Sequence, residues 1–123
     1  MKLSYVRIFV RDLDAALSFY RDKLGLSLRA HSAESGYCVF ESGAAQLVVE
    51  AVPNEAPAEE QVLVGRLTGV SFAVESVANV YQRLVALGVP FTGEPETQTW
   101  GGVLATFKDP AGNELQLVQA NAG

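Results

Sequence analysis

The segment "FVRDLDAALSFYRDKLGL" (residues 9–26) decides the fold, because its pattern recurs in "VESVANVYQRLVALGV" (residues 74–89). Asp12 precedes apolar residues at the i, i+3, i+4, i+7 spacing of one helical face, and Ser76 precedes a matching set 64 residues later. Each segment ends in Leu-Gly, where glycine suits the left-handed residue that closes a helix. One extra residue in the first copy reduces that last offset to 63. The repeat predicts two equivalent capped helices.

Strand-like segments surround each helix in the same order, one before it and three after it. They are "SYVRIFV", "LSLRAH", "GYCVFES" and "AAQLVVEAV" in the first copy, and "TGVSFAV", "PFTGEP", "GVLATFKD" and "NELQLVQ" in the second. The predicted fold is α+β, a single domain of two tandem β-α-β-β-β modules at residues 1–52 and 67–123, with a linker at 53–66. Because one helix covers only one face of a sheet, we expect a curved mixed sheet around a cup-shaped cleft.

The composition of the chain argues against several classes of partner. The chain has 123 residues, 49% of them hydrophobic, which is enough for one domain with a buried core. Nine basic and 14 acidic residues without a basic cluster argue against nucleic acid as a partner. No apolar run approaches the ~20 residues of a membrane span, and the charged N-terminus does not suit a signal peptide, so we expect a cytoplasmic protein without a membrane partner. The lone Cys38 has apolar neighbours and is interpreted as a buried structural thiol.

Strand alternation predicts which side chains face the cleft. On the first strand of each module these are Tyr5, Arg7 and Phe9, and Gly69, Ser71 and Ala73. Val48 and Glu50 share one face of the fourth strand, and Gln116 is the counterpart of Val48 at an offset of 68. Arg7 is suited either to a substrate carboxylate or phosphate, or to an ion pair with Glu50 or Glu114.

Two further features have alternative interpretations. Trp100 stands beside two glycines in a segment of little apolar content, so its indole either contacts an aromatic or cationic ligand or packs against this chain or a partner copy. The segment "DPAGN" (residues 109–113) has the composition of a tight turn and is assigned no chemistry. Tyr5, Tyr37, Glu50 and Gln116 carry groups for metal-free acid–base chemistry, although their spacing does not demand it.

The paired modules, the "FVRDLDAALSFYRDKLGL" opening and the "WGG…FKDPAGNELQLVQ" close resemble the vicinal oxygen chelate superfamily of glyoxalases, bleomycin-resistance proteins and extradiol dioxygenases. The resemblance covers essentially the whole chain. It is specific for fold and much less so for function, since one scaffold serves isomerases, dioxygenases, thiol transferases and drug-sequestering proteins. It also implies a homodimer, for which the apolar segment "QVLVGRLTGV" (residues 61–70) is a candidate interface.

Metal-dependent members of that superfamily hold His and Glu ligands at four positions. By resemblance these correspond here to Tyr5, Val48, Gly69 and Gln116. None of the four is a His or a carboxylate, so the resemblance implies that the metal site is absent and that no cofactor is bound. A two-ligand site formed by His31, the only histidine, and Glu50 is the alternative.

The resemblance leaves two functions open. The first is a metal-independent protein that binds or sequesters an aromatic or amphipathic, drug-like ligand in the cleft, with a role in antibiotic resistance. The second is a superfamily enzyme of the lyase, isomerase or dioxygenase type with a non-standard or metal-free active site, whose catalytic residues the sequence does not assign. We expect the ligand contacts to come from Tyr5, Arg7, Tyr37, Val48, Glu50, Gly69, Ser71, Trp100 and Gln116.

Overall fold

The computed structural model of the chain describes residues 1–43 and 45–120. Its elements are β1 (Tyr5–Val10), α1 (Leu13–Leu17, continued by a π-helical segment at Ser18–Lys23), β2 (Ser27–Ser32), β3 (Tyr37–Ser42), β4 (Ala45–Ala51), α2 (Ala58–Gln61), β5 (Leu67–Ala73), α3 (Val77–Ala86), β6 (Glu96–Thr97), β7 (Val103–Lys108) and β8 (Glu114–Gln119). They form two four-stranded mixed sheets, in the orders β1-β4-β3-β2 and β5-β8-β7-β6. The predicted α+β fold of tandem β-α-β-β-β modules is confirmed.

The chain forms two compact units. The first contains Met1–Arg66 together with the turn Pro110–Asn113, and the second contains Leu67–Asp109 together with the strand that begins at Glu114. The division after Arg66 coincides with the predicted end of the linker. Within the linker, four residues form the short helix α2.

The strand registers of the two sheets match from Arg7 in β1 and from Ser71 in β5 onward. Arg7 lies opposite Val48 in the parallel pair of β1 and β4, and Ser71 lies opposite Gln116 in the parallel pair of β5 and β8. Ser71 follows Arg7 by 64 positions, and Gln116 follows Val48 by 68 positions. These are the offsets of the sequence repeat. Each module therefore places equivalent residues at equivalent points of its sheet.

The helices begin at the predicted caps. The Asp12 side chain accepts a hydrogen bond from the Ala15 N–H, and Ser76 accepts one from the Asn79 N–H, both at 3.1 Å. The first helix then widens into the π-helical segment, in which the Leu24 N–H donates to the Phe19 carbonyl five residues back at 3.0 Å. A π-helical turn holds about one residue more than an α-helical turn, so it accommodates the extra residue of the first module. None of the helices in residues 1–43 and 45–120 is long and apolar enough to cross a membrane.

Each sheet buries one face against its own helix. In the first unit the Tyr20 ring lies 5.0 Å from the Phe19 ring and 5.8 Å from the Phe40 ring, measured between centroids. In the second unit Phe91 lies 5.6 Å from Phe107. Burying each such large apolar side chain contributes roughly 1.5–3 kcal/mol. The fully or nearly fully buried residues of the two sheets are Ile8, Val10, Cys38, Phe40, Leu47 and Val49 in the first, and Ala105, Phe107, Leu115 and Leu117 in the second.

The predicted strand "PFTGEP" (residues 90–95) is wrong in position. Phe91 forms only an isolated bridge with Phe107, and the edge strand β6 occupies the next two residues, Glu96–Thr97. Pro90 and Pro95 lack the N–H group that a strand ladder requires, so regular pairing cannot run through this segment.

Candidate functional site

Each sheet has a second face that its helix does not cover, which we call the helix-free face. All the predicted ligand residues except Trp100 lie on these faces. The first helix-free face consists of Tyr5, Arg7, Phe9, Tyr37, Val39, Glu41, Gln46, Val48 and Glu50. The second consists of Gly69, Ser71, Ala73, Leu104, Thr106, Lys108, Glu114, Gln116 and Val118.

Arg7 lies on β1, an edge strand of the first sheet, and is ion-paired across the helix-free face to the neighbouring strand β4. Its Nε and Nη2 atoms donate to the two carboxylate oxygens of Glu50, each at 2.8 Å. Its Cζ atom lies 5.0 Å from the centroid of the Phe9 ring. The hydrogen bonds that Arg7 donates to Glu50, together with the negative charge of Glu50, raise the pKa of Arg7 above its ordinary value. Of the two ion pairs that the sequence leaves open, the structure forms the one with Glu50.

The residues around this pair are aromatic and apolar. Tyr5 lies two residues before Arg7 on the same strand face and is 57% exposed. Tyr37 lies opposite Glu50 in the pair of β3 and β4, and Val48 lies opposite both Arg7 and Val39. The structure thus brings together all five predicted ligand residues of the first module.

A second ion pair on the same sheet escapes the sequence analysis. Arg29 donates through Nη1 to Glu41 at 2.5 Å. The pairing of β2 with β3 shifts register between Leu28 and Ala30, at the position of Arg29. Simple alternation does not predict such a shift, and a sequence pattern does not reveal it.

His31 and Glu50 do not come together. His31 lies opposite Cys38, whereas Glu50 lies opposite Tyr37. Adjacent strand residues point to opposite faces, so the register places His31 and Glu50 on opposite faces of the sheet. In the described part of the chain, no group of three or more His, Cys, Asp or Glu side chains is placed to hold a metal ion. Cys38 itself is buried, and this burial raises the pKa of its thiol, with the charge of Asp14 adding to the effect.

A chain of neutral hydrogen bonds occupies the centre of the second helix-free face. The Ser71 hydroxyl donates to Gln116 Oε1 at 3.2 Å, and Gln116 Nε2 donates to Thr106 Oγ1 at 3.4 Å. We call Ser71, Gln116 and Thr106 the neutral chain. Thr106 lies opposite Gln116 in the pair of β7 and β8, a register that the sequence does not reveal. The neutral chain offers amide and hydroxyl groups to a ligand and brings no charge.

Gly69 lies where the second sheet departs from the first. The parallel register of β5 with β8 shifts between Leu67 and Ser71, and Gly69 adopts a φ of 77° within this bulge. Its counterpart Tyr5 keeps a regular register, opposite Gln46. No described atom lies within 4 Å of the point where a Cβ on Gly69 would stand, so the backbone is approachable there.

The four positions that correspond by resemblance to metal ligands do not fit a divalent metal. Val48 and Gly69 have no donor atom in their side chains. The Gln116 amide oxygen already accepts a hydrogen bond from Ser71. Tyr5 offers only a phenol, whereas such sites are built from three or four imidazole, thiolate or carboxylate donors. These residues therefore do not form the metal site of the metal-dependent relatives.

Trp100 lies in the loop between β6 and β7. The loop is closed by hydrogen bonds from the Gln98 N–H to the Gly102 carbonyl at 2.8 Å and from the Gly101 N–H to the Gln98 carbonyl at 2.9 Å. The indole covers Gly102 so closely that a Cβ on this glycine would stand 1.8 Å from the ring atom Cζ3. Trp100 is nonetheless 54% exposed. One part of the indole packs on the protein, and the remainder is accessible.

Asn113 is the buried polar residue that the sequence analysis overlooks. Its Nδ2 donates to the Phe9 carbonyl at 2.8 Å, and its Oδ1 accepts from the N–H groups of Gly65 at 2.8 Å and Arg66 at 3.2 Å. It therefore ties the backbone of β1, at the residue whose ring lies beside Arg7, to the end of the linker. In the sequence it stands in a turn where asparagine is common, so nothing distinguishes it from an ordinary turn residue.

A separate cavity of about 380 Å³ lies in the first unit, away from the helix-free face. It is bounded by Val10–Asp12, Ala15, Ala16 and the turn residues Pro110 and Ala111. Its two charged residues are already engaged, because Arg11 donates to the Gln61 side chain and Asp12 caps α1. This cavity therefore offers a ligand little polar recognition.

Comparison with known proteins establishes the family. The sequence model of the Glyoxalase/Bleomycin resistance protein/Dioxygenase superfamily matches residues 2–117. The chain belongs to this superfamily, which confirms the resemblance inferred from its motifs.

Three similar proteins illustrate the range of this family. The uncharacterized protein YurT of Bacillus subtilis (strain 168) is 33% identical, over 97% of this chain and 99% of its own. A bleomycin resistance protein of Klebsiella pneumoniae is 27% identical, over 89% of this chain and 85% of its own. The crystal structure of TnmS3, an antibiotic binding protein from Streptomyces sp. CB03234, is 25% identical and has a TM-score of 0.77, with 98% of this chain and 97% of that chain covered.

Proposed function

We propose that this protein binds or sequesters an aromatic or amphipathic, drug-like molecule without a metal ion. The observation that carries the proposal is that the four positions equivalent to the relatives' metal ligands hold neither a His nor a carboxylate. Two of them have no donor side chain, and a third, Gln116, belongs to the neutral chain. The similarity to a bleomycin resistance protein and to an antibiotic binding protein supports the same function.

The proposed ligand contacts lie on both helix-free faces and at the exposed part of Trp100. The first face supplies aromatic surface and an ion pair, and the second supplies neutral hydrogen-bonding groups. The first face by itself combines apolar surface with a few well-placed polar groups, as small-molecule sites do. The residues proposed as contacts are Tyr5, Arg7, Tyr37, Val48, Glu50, Gly69, Ser71, Trp100 and Gln116.

Thermal unfolding in EDTA, with bleomycin and a panel of aromatic antibiotics, tests the proposal. We expect at least one compound to raise the Tm, because a ligand at a hundredfold excess over its Kd stabilises the native state by about 2.7 kcal/mol. Gln116→Leu should reduce this shift. Gln82→Leu, the same change at an exposed position of α3, should leave it unaltered.

The opposite result supports an enzyme. Stabilisation only after zinc, manganese or iron is added, together with turnover of a hemithioacetal, would overturn metal-independent binding and favour a lyase or isomerase with a non-standard site. Both measurements use the same purified protein, so the two functions are separated directly.

We also propose that the chain forms a homodimer through the segment at residues 61–70. Val62 and Leu67 of this segment are 69% and 65% exposed, so they offer apolar surface that a second copy could cover. Size-exclusion chromatography with light scattering should show a dimer at micromolar concentration, and Val62→Asp should weaken it. A monomer at that concentration contradicts the proposal.

A further inference from the structure

We propose that the guanidinium of Arg7 is a stacking platform for a neutral, planar, electron-rich aromatic ring of the ligand, and is not an anchor for an anionic group. This inference rests on the proposed function, since it assigns a ligand chemistry to the first helix-free face. It also decides between the two roles for Arg7 that the sequence leaves open.

The first step is that the guanidinium is fixed in orientation. Its two donor atoms Nε and Nη2 each hold one oxygen of Glu50 at 2.8 Å, the paired geometry that an Arg–carboxylate fork provides. A guanidinium is a rigid plane, so two parallel hydrogen bonds fix the plane as well as the position of the charge. A ligand that stacks on it need not order a flexible side chain, which reduces the entropy cost of binding.

The second step is that one side of Arg7 is supported and another is open. The Phe9 ring lies on one side, with its centroid 5.0 Å from Cζ. The Arg7 side chain nevertheless remains 53% exposed. A guanidinium stacks readily on aromatic faces because it is planar and more weakly hydrated than an ammonium group. The open part of Arg7 therefore suits a second ring, supplied by the ligand.

The third step is that Arg7 is poorly suited to bind an anionic group of the ligand. Glu50 already occupies the Nε–Nη2 edge and neutralises the charge of Arg7. A carboxylate or phosphate on the ligand would have to displace Glu50, or bind beside its negative charge. The chain as a whole carries a formal net charge of −5, which also disfavours an anionic ligand.

The fourth step is that the neighbouring side chains suit a flat apolar molecule. Tyr5 lies two residues from Arg7 on the same strand face, at a spacing of roughly 6.5–7 Å along the strand. Val48 lies opposite Arg7 on β4. A ring placed on the guanidinium would therefore border an aromatic and an aliphatic side chain, and its edge would meet no further charge from these two neighbours.

Nuclear magnetic resonance with three matched probes tests the inference. The probes are 2-naphthol, which is planar and neutral at pH 7, decahydro-2-naphthol, which has the same skeleton without aromatic electrons, and 2-naphthoate, which is planar and anionic. We expect 2-naphthol to move the Arg7 Nε–H resonance upfield, because the proton would lie over the ring. Decahydro-2-naphthol should bind at least tenfold more weakly, and 2-naphthoate no more tightly than 2-naphthol.

Two variants test whether binding depends on the planar, fixed guanidinium of Arg7 or only on its charge, and a third variant is the control. Arg7→Lys keeps the charge and loses the planar fork, and it should weaken 2-naphthol binding at least fivefold. Glu50→Gln loosens the fork and should weaken binding by a smaller factor. Arg29→Lys makes the same change in the neighbouring Arg29–Glu41 pair and should leave 2-naphthol binding unchanged.

Two results would overturn the inference. One is tenfold tighter binding of 2-naphthoate than of 2-naphthol, retained in Arg7→Lys, which would make Arg7 an anion anchor. The other is the absence of an Arg7 Nε–H shift at the highest soluble 2-naphthol concentration. The proposed function fails separately, when no antibiotic stabilises the protein in EDTA, and it survives if an antibiotic does so equally well in the Arg7→Lys variant.

Discussion

The two helix-free faces share a backbone register and differ in chemistry. At equivalent points the first face carries Arg7 opposite Val48, and the second carries Ser71 opposite Gln116. At these points the first face therefore holds an ion pair over an aromatic ring, and the second holds the neutral chain. The buried faces differ much less, since both consist of apolar side chains. The comparison teaches that the buried faces stay alike because both must pack against a helix. The helix-free faces do not have this constraint, so their side chains can differ in charge and polarity.

The largest expected effect concerns the turn that precedes β8. Asn113→Ala removes the side-chain partner of three partly buried backbone groups, in Phe9, Gly65 and Arg66, and empties a fully buried position, so we expect a loss of about 2–4 kcal/mol in unfolding free energy. Urea denaturation measures it. The equivalent position of the first module is Ala45, and Ala45→Ser should cost less than about 1 kcal/mol. A loss below 1 kcal/mol for Asn113→Ala would show that the two turns are equally dispensable.

The next effect concerns the loop between β6 and β7, whose indole has no counterpart in the equivalent loop between β2 and β3. Gly102→Ala places a methyl group 1.8 Å from the Trp100 ring and 2.7 Å from the Gln119 carbonyl, so we expect about 1–3 kcal/mol of destabilisation. Trp100 is the only tryptophan, and its fluorescence should change with the displaced ring. Gly93→Ala, where no described atom lies within 4 Å of the new Cβ, should be neutral or slightly stabilising. Equal effects of the two substitutions would contradict the close packing of the indole.

A smaller effect tests the bulge that distinguishes β5 from β1. Gly69→Ala should cost about 1–2 kcal/mol, because a φ of 77° is strained for any residue with a Cβ. Gly88→Ala is the matched control, since it has a φ of 84° and equally open surroundings among the described atoms. Similar losses of stability in both variants would show that the destabilisation comes from the positive φ alone. A neutral Gly69→Ala would indicate that β5 can adopt the regular register of β1.

The smallest effect is a difference in pH dependence. Burial raises the pKa of the Cys38 thiol above its ordinary value of 9.0, so the native state retains the proton when the unfolded chain loses it. Stability should be unaffected by this group well below pH 9 and should fall as the pH rises through 9 towards the higher native pKa. The equivalent residue of the second module is Ala105. Cys38→Ala should remove this part of the slope in chemical denaturation, and an unchanged slope would count against it.

The fold was predictable because its signals are local or repeated. Asp12 and Ser76 cap their helices as the sequence indicates, and the offsets of 64 and 68 residues recur in the strand register. Strand alternation alone assigned Arg7, Glu50, Ser71 and Gln116 to the helix-free faces.

Other features of the candidate site could not be predicted, because they depend on side-chain conformation, strand register or long-range contacts. A local sequence pattern contains none of these. The partner of Arg7 depends on side-chain conformation, and the place of Thr106 in the neutral chain depends on an antiparallel register. The position of Arg29 depends on a register shift in β2. Asn113 bonds with a residue 104 positions away, a pairing that turn composition cannot indicate.

The π-helical segment has a consequence for how such a repeated chain can change in length. It absorbs one additional residue within the helix, so β4 still meets β1 at the same register as β8 meets β5. An insertion of this kind in a strand would have turned every later side chain of that strand to the opposite face. The helix, like the loops that take up the later change in offset from 63 to 68 residues, is therefore a segment in which one copy of the module can gain or lose a residue while the chemistry of both sheets stays in place.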